Sequence, residues 1–249
     1  MSFIKIPADN HHPDGASIRF QNLASISLQQ IAAAFEQAFA DYPVPIRMTV
    51  QQLQDKIQTE DIQLALSVGA FDGSQLIGFV LTGIRMIGEL KSAYNAGTGV
   101  LPAFRGHQLT RSMYVLLLQW CAEKNIEEHR LEVLCNNQRA IRVYQHIGFR
   151  PTRKLVCYKG FVTPMLKDGT CRIRQEQISD WALHESIDDI EPAWQNSFAS
   201  VQNCNHHWIA LSAWDQQRLG SIVFLPATGR IKWLLVNQSA RRKGIATQL

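Results

Sequence analysis

The residues best suited to chemistry form a basic, glycine-containing turn at Arg105-Gly106-His107-Gln108-Leu109-Thr110. An apolar stretch precedes this turn, and a long amphipathic pattern follows it. The first amides of a helix have no acceptor within the helix, so they point outward and attract anions together with the helix dipole. Gly106 lets the backbone approach a phosphate closely, and the Arg105 guanidinium suits phosphate oxygens. The turn therefore predicts a phosphate site, with an ordinary strand–turn–helix connection as the alternative.

A second basic turn, Arg241-Arg242-Lys243-Gly244-Ile245-Ala246, lies near the last residue of the sequence. As an isolated string it would be a solvated run of charge. It follows the apolar stretch Ile231–Val236, which has the pattern of a buried strand, and this position favours a second anion-binding turn. Neither turn is a Walker loop or a dinucleotide fingerprint, because the glycine and lysine patterns of those motifs are missing.

Two polar residues, Asn137 and Tyr144, follow the first turn by about thirty residues. Asn137 precedes a short apolar pattern that contains Tyr144 and ends at Gly148, a natural helix C-cap. A tyrosine hydroxyl can protonate a leaving group, and an asparagine amide can hydrogen-bond a ligand. The structural alternatives are a core aromatic for Tyr144 and a helix N-cap for Asn137.

The elements that position these residues follow from hydrophobic periodicity, capping residues and turn signals. Helices are predicted over Ser27–Phe39, from the Thr49 cap through Ile57, after Gly106, and over Ala140–Ile147. Strands are predicted over Ile18–Leu23, Leu64–Phe71, Leu76–Ile84, Tyr94–Leu101, Leu131–Cys135 and Lys154–Tyr158. Asp72-Gly73-Ser74 is a hairpin signal between two of these strands.

The same order of elements then restarts, which indicates an internal repeat of architecture. The second copy has a strand over Cys171–Ile178, a helix over Ile187–Val201, a hairpin over Trp208–Trp214 and Leu219–Phe224, and a strand over Ile231–Val236. It stops a few residues into its next helix. The sequence therefore divides into an extension (1–16), a first domain (17–162), a linker (163–170) and a partial second domain (171–249).

Composition excludes several function classes. The 249 residues carry a formal charge of +4, which is too weak to argue for nucleic acid. No apolar run is long enough to span a bilayer, and no segment resembles a signal peptide. Five scattered cysteines indicate reduced thiols in a cytoplasmic protein. The adjacent histidines at 11–12 and 206–207 define no metal site, and no metal is expected.

The chain resembles the GNAT superfamily of acyl-CoA-dependent N-acyltransferases. Its Gln/Arg-x-x-Gly-x-Gly/Ala motif is matched by Arg241, Gly244 and Ala246, and in part by Arg105, with Gln108 and Thr110 at the later positions. The later Asn-x-x-Ala-x-x-x-Tyr motif with a closing Gly-Phe is matched by the following residues: Asn137, Ala140, Tyr144, Gly148 and Phe149. The resemblance covers about residues 17–160, and again 171–249 as an incomplete second domain.

The resemblance implies an α/β (α+β) fold with a mixed, mostly antiparallel central sheet flanked by helices, repeated as a second partial domain. It implies that amides of Arg105, Gly106, His107, Gln108, Leu109 and Thr110 hold the pyrophosphate of acetyl-CoA. A backbone N–H at Val100 or Leu101 would polarise the thioester carbonyl. Asn137 would hydrogen-bond the pantetheine arm, and Tyr144 would protonate the departing thiolate.

Two features of the implied site stay open. The Gln108 side chain, where the family has glycine, would crowd the phosphates or shift their placement. The general base is not identified, with Glu132 and a water chain from Glu89 as candidates. The second turn has the better motif but lacks the Asn and Tyr segment, so only the first domain has all the parts.

The leading interpretation is an enzyme that transfers acetyl from acetyl-CoA to a primary amine of a small molecule or peptide, with the first domain catalytic. The alternatives are a non-catalytic CoA-binding or regulatory protein, and an interaction module. In the last case the missing strands of the second domain leave an open sheet edge through which a homodimer would form.

Overall fold

The computed structural model describes residues 18–41, 47–161, 171–178, 191–203 and 208–249. Contacts within the chain group it into two units, Met1–Thr152 and Arg153–Leu249. This division falls before the predicted linker at 163–170, which lies outside the described residues. The predicted domain boundaries therefore stay a prediction.

The first unit is built on a five-stranded sheet. In spatial order its strands are β1 (Arg19–Asn22), β2 (Val68–Asp72), β3 (Gln75–Ile87), β4 (Leu90–Val100) and β5 (Glu128–Arg130). The first four are antiparallel neighbours, and β5 pairs parallel to β4. The predicted hairpin between β2 and β3 is confirmed, and Gly73 at its tip takes a positive φ of 56°, which glycine adopts at no steric cost.

Four helices accompany this sheet: α1 (Leu28–Ala38), α2 (Val50–Thr59), α3 (Leu109–Glu123) and α4 (Gln138–Ile147). The predicted caps are present, since Ser27 accepts the Gln30 amide and Thr49 accepts the Gln52 amide. In α3 the buried residues recur at helical spacing and pack on β2, β3 and β4: Leu109, Met113, Leu117 and Cys121. This packing fixes where α3 begins, and with it the turn before α3.

Two predicted strands of this region are wrong. Leu131–Cys135 follows β5 as irregular chain, although its exposure continues to alternate through residue 134. The alternation reflects an extended backbone, but β4 pairs with β5 only as far as Tyr94 opposite Arg130. Lys154–Tyr158 is irregular and exposed, with Tyr158 92% accessible. An apolar run becomes a strand only when a ladder partner lies beside it.

A β-bulge interrupts β4 near its middle. Leu81 faces Gly97 and Thr82 faces Asn95, so Ala96 is the extra residue on β4. A bulge bends and twists its strand locally and re-aims the neighbouring side chains. Beyond this point β4 is paired only with β3 among the described residues, and the edge that carried β5 is open.

The second unit has a four-stranded antiparallel sheet. Its strands follow the spatial order β6 (Arg172–Gln175), β7 (Ile209–Trp214), β8 (Arg218–Leu225) and β9 (Arg230–Val236), and short helices α5 (Phe198–Gln202) and α6 (Ile245–Gln248) accompany them. In the described part of the predicted helix over Ile187–Val201, only the residues from Phe198 onward are α-helical, as α5. Trp194–Asn196 forms a single 3-10 turn, and the extended residue Ser197 caps α5 with its hydroxyl.

Candidate functional site

The first basic turn contains two residues with left-handed backbone conformations. A 3-10 turn over Pro102–Phe104 leads into it, and α3 begins at Leu109. Gly106 has φ 91° and Gln108 has φ 56°. The position where the GNAT motif carries glycine therefore requires a left-handed residue, and Gln108 meets that requirement at a steric cost.

The amides at the start of α3 are directed to a site outside the helix. The first ladder bond runs from the Ser112 N–H to the Gln108 carbonyl at 3.1 Å, so the amides of Leu109 to Arg111 precede the ladder. Gln108 makes no side-chain cap, whereas α1, α2, α4 and α5 are all capped by a side chain. The start of α3 fits an anionic group supplied by a ligand.

The Arg105 guanidinium secures the turn to the rest of the unit. It binds both carboxylate oxygens of Asp41, at 2.5 and 2.9 Å, and donates to the carbonyls of Ala38 at 2.8 Å and Val100 at 3.1 Å. The hydrogen bond from Arg105 lowers the pKa of Asp41, and the same pairing raises the pKa of Arg105. The predicted phosphate contact of this side chain therefore competes with a structural role, and the turn's anion affinity falls mainly to its backbone.

The second turn repeats one of these contacts and the backbone conformation of the first. Arg241 Nε donates to the Val236 carbonyl at 2.9 Å, as Arg105 Nε does to the carbonyl five residues before it. Arg242 and Gly244 have φ 63° and 80°, so both left-handed positions recur with the glycine at the second instead of the first. Gly244 and Ala246 begin α6, and α6 has no side-chain cap. Among the described residues of this unit no helix corresponds to α4.

The structure distinguishes the two predicted amides at the end of β4. The Leu101 N–H donates to the Ile77 carbonyl at 2.9 Å and is therefore committed to β3. Amide directions alternate along a strand, so the Val100 N–H points to the opposite edge, where β5 no longer pairs. Val100 is thus the candidate for contact with a ligand carbonyl, and the predicted role of Leu101 is not supported by its hydrogen bond.

Asn137 and Tyr144 lie on α4 as the sequence predicts. Asn137 is the N-cap, because its Oδ1 accepts the Ala140 amide at 3.1 Å. This use leaves its side-chain NH2 as the group suited to a ligand acceptor. The Tyr144 ring packs edge-on against Tyr114 and Phe149, and its hydroxyl accepts a hydrogen bond from Asn95 Nδ2 at 3.2 Å. The tyrosine hydroxyl is therefore placed beside the β4 bulge.

The sequence reading missed the residues that surround Tyr144. Burial raises the pKa of Tyr114 well above its usual 10, so this phenol stays protonated. Burial also lowers the pKa of His129 to about 4, and the imidazole is therefore neutral at physiological pH. Asn95 is only 8% exposed and lies between the buried residues Tyr94 and Ala96, and an amide in the middle of a strand is the signal that would have identified it.

Of the remaining candidates, Glu89 lies away from Tyr144. Glu89 lies six residues before Asn95 on the β3–β4 hairpin, about 20 Å along the strand. Glu132 is exposed in the irregular chain after β5. His107 is exposed on the turn, and the histidines at 11–12 and 206–207 lie outside the described residues. Within the described ranges no cluster of His, Cys, Asp and Glu could hold a metal ion, and no helix there is long and apolar enough to cross a membrane.

Comparison with known proteins agrees with this geometry. Residues 29–149 match the model of the "Acetyltransferase (GNAT) family". This part of the chain, which carries the turn, the bulge and α4, is similar to the GNAT acetyltransferases.

Two curated relatives are mycothiol acetyltransferases. The one from Streptomyces scabiei (strain 87.22) is 28% identical over 143 residues, covering 57% of this chain and 46% of its own length. The one from Nocardioides sp. (strain ATCC BAA-499 / JS614) is 26% identical over 150 residues, covering 55% of this chain and 50% of its own. The chain thus spans about half the length of the curated relatives it matches.

A solved structure with the same fold comes from a fungal multi-domain GH3 β-N-acetylglucosaminidase, which is described as having a GCN5-related glucosamine N-acetyltransferase region. The match has a TM-score of 0.62 at 17% identity, and it covers 93% of this chain and 33% of that one. At this identity the likeness establishes the fold alone.

Proposed function

We propose that the first unit transfers an acetyl group from acetyl-CoA to a primary amine of a small molecule or peptide. The observation that carries the proposal is the placement of an uncapped, left-handed turn and of Tyr144 along the same strand, β4. The tyrosine hydroxyl meets β4 at Asn95, five residues before Val100 and about 16 Å along the strand. The extended pantetheine arm of CoA is suited to that separation.

Acetyl-CoA would supply a thioester, whose C–S bond breaks as the amine nitrogen forms a new C–N bond to the acetyl carbon. The amides of Gly106 to Thr110 would hold the pyrophosphate, with the α3 dipole adding to their attraction. The Val100 N–H lies about 16 Å from Asn95 along β4, so it would donate to a carbonyl of the pantetheine arm and not to the acetyl oxygen, which must lie beside Tyr144. The Asn137 NH2 would donate to the pantetheine arm.

The leaving sulfur departs as a thiolate and needs a proton. Tyr144 would donate its hydroxyl proton to this sulfur, a general-acid step that contributes on the order of 100- to 10,000-fold in rate. The proton lost by the attacking amine would pass to solvent. Tyr144 would then recover its proton from solvent before the next turnover.

We also propose that the second unit is an incomplete domain of the same kind. The repeated turn contact, the repeated positive φ values and the repeated strand order support this. Arg241, Gly244 and Ala246 would contact a phosphate there, but catalysis would be confined to the first unit, which carries Tyr144. The suggested homodimer through the second unit is tested by light scattering over a range of protein concentrations.

Calorimetric titration with acetyl-CoA, followed by an amine screen, tests the proposed function. We expect one acetyl-CoA site per chain. Thr110→Pro removes one backbone N–H of the turn and should weaken binding more than reversing the charge of a residue near the turn does. Release of free CoA with an amine should fall at least 100-fold in Tyr144→Phe. Binding without turnover of any amine would instead support a non-catalytic CoA-binding protein, and no binding at millimolar ligand would overturn both.

A further inference from the structure

The Asn95 side chain has a fixed orientation beside the bulge of β4. Its Oδ1 accepts the Gly97 N–H and the Thr98 hydroxyl, each at 3.0 Å. A backbone N–H can only donate, so the oxygen of Asn95 must lie on this side and the NH2 on the other. The NH2 faces Tyr144 and donates to its oxygen at 3.2 Å.

We propose that Asn95 is a positioning residue that sets Tyr144 as a proton donor, an inference that rests on the proposed function. An amide NH2 has no lone pair available to accept a hydrogen bond, so the phenolic hydrogen cannot point at Asn95. The Tyr144 oxygen accepts on the β4 side, and its O–H is directed away from the strand. A carboxylate or carbonyl at this position would attract the same hydrogen and hold it on the strand.

The surroundings of Tyr144 make this contact important. None of the residues of α4 is buried, so packing alone constrains the helix weakly. The ring contacts with Tyr114 and Phe149 fix the plane of the phenol but leave rotation about the C–O bond undetermined. The hydrogen bond from Asn95 constrains this rotation, because the phenolic hydrogen must point away from an N–H donor.

The second unit offers an internal comparison. The two sheets can be aligned on the pairs Val100–Gly78 and Val236–Gly220. In this alignment the bulge of β4 and the bulge of β9 fall at equivalent positions. In this alignment Ile231 occupies the position of Asn95, and Leu234 that of Thr98; they are 46% and 43% exposed. The second sheet therefore has a bulge but no equivalent of Asn95 and Thr98, and the described residues of its unit include no counterpart of α4. This is expected if Asn95 is there to contact Tyr144 and is not needed to form the bulge.

The test compares Asn95→Asp with Asn95→Ala. The aspartate variant keeps the shape and the acceptor for Gly97 and Thr98, but at about pH 8 its second oxygen is ionised and can only accept. We expect Asn95→Asp to lower kcat about 100-fold and Asn95→Ala about 10-fold, with KM for acetyl-CoA unchanged. A purely structural role predicts the opposite order, because the alanine variant loses the packing and all three hydrogen bonds, and that order would overturn the inference.

A second comparison separates this inference from the proposed function. In a Tyr144→Phe background, neither Asn95 substitution should lower kcat further, because the hydroxyl it orients is absent. Full turnover by Tyr144→Phe itself would refute the acid role and the proposed function with it. Impaired turnover in Tyr144→Phe together with wild-type turnover in Asn95→Asp would refute the positioning role alone. Asn22→Ala, at an exposed position on β1, is the matched control and should leave turnover unchanged.

Nuclear magnetic resonance tests the hydrogen bond without turnover. The side-chain amide signals of Asn95, identified by their loss in Asn95→Asp, should shift in Tyr144→Phe, whereas those of Asn22 should not. Unchanged Asn95 signals would show that the hydrogen bond is absent in solution and would overturn the inference.

Discussion

Replacing Gln108 by glycine should stabilise the first unit, although glycine usually weakens a folded protein. Gln108 has φ 56° and ψ 17°, and a non-glycine residue in this conformation costs roughly 1–2 kcal/mol. Its side chain makes no capping hydrogen bond that would be lost. The more flexible unfolded chain of the glycine variant offsets roughly 0.5–1 kcal/mol of the gain. We therefore expect a net stabilisation of about 0.5–1 kcal/mol.

Gln119→Gly provides a matched control in the same helix. Gln119 is exposed in the interior of α3, where glycine costs about 1 kcal/mol relative to good helix formers. Urea unfolding followed by far-UV circular dichroism should thus move in opposite directions for the two variants. If Gln108→Gly destabilises the protein as much as Gln119→Gly does, the left-handed conformation is not strained and the reasoning about this turn is refuted.

Three further predictions concern packing and pH. Gly220→Ala should destabilise the second unit by about 1–3 kcal/mol in urea unfolding, because the new Cβ would lie 2.7 Å from a backbone carbonyl oxygen of β9. The hydrogen bond from Arg105 lowers the pKa of Asp41, so its stabilising effect is present above about pH 4 and is lost as the pH falls further. The urea midpoints of wild type and Asp41→Asn should therefore differ at neutral pH and approach each other as the pH is lowered into the acid range. Burial lowers the pKa of His129 to about 4, so between pH 6.5 and 4 the unfolded chain binds a proton at this residue that the folded protein does not. The free energy of unfolding should therefore fall as the pH drops through this range, and it should fall less in His129→Leu.

The parts of the fold that depend on local signals could be predicted from the sequence. Ser27 and Thr49 cap their helices, and Gly148 ends α4 in a left-handed conformation, as residue type alone indicates. Leu131–Cys135 and Lys154–Tyr158 are wrongly predicted to be strands, because alternation of apolar residues describes an extended chain and does not supply a ladder partner.

The same distinction between local signals and distant contacts applies to the candidate site. Tyr144, Asn137 and the turn before α3 belong to motifs that are contiguous in sequence, and the structure places them as expected. Asn95 escaped notice because its partner Tyr144 lies 49 positions away, and because its orientation depends on the β4 bulge. The role of Arg105 was similarly incomplete, since the Asp41 carboxylate that holds it lies 64 positions earlier.

The strand order has a consequence for how the site assembles during folding. Strands β2, β3 and β4 are consecutive in both sequence and space, as are β7, β8 and β9, so each ribbon forms through contacts of short sequence separation. Each bulge lies within its ribbon, and each basic turn directly follows it. The parallel strand β5 and α4 join only after the chain of α3 has crossed over the sheet. We therefore expect the anion-binding turn to form early in folding and the hydrogen bond between Asn95 and Tyr144 to form late. A substitution that weakens this hydrogen bond should accelerate unfolding and leave the folding rate nearly unchanged.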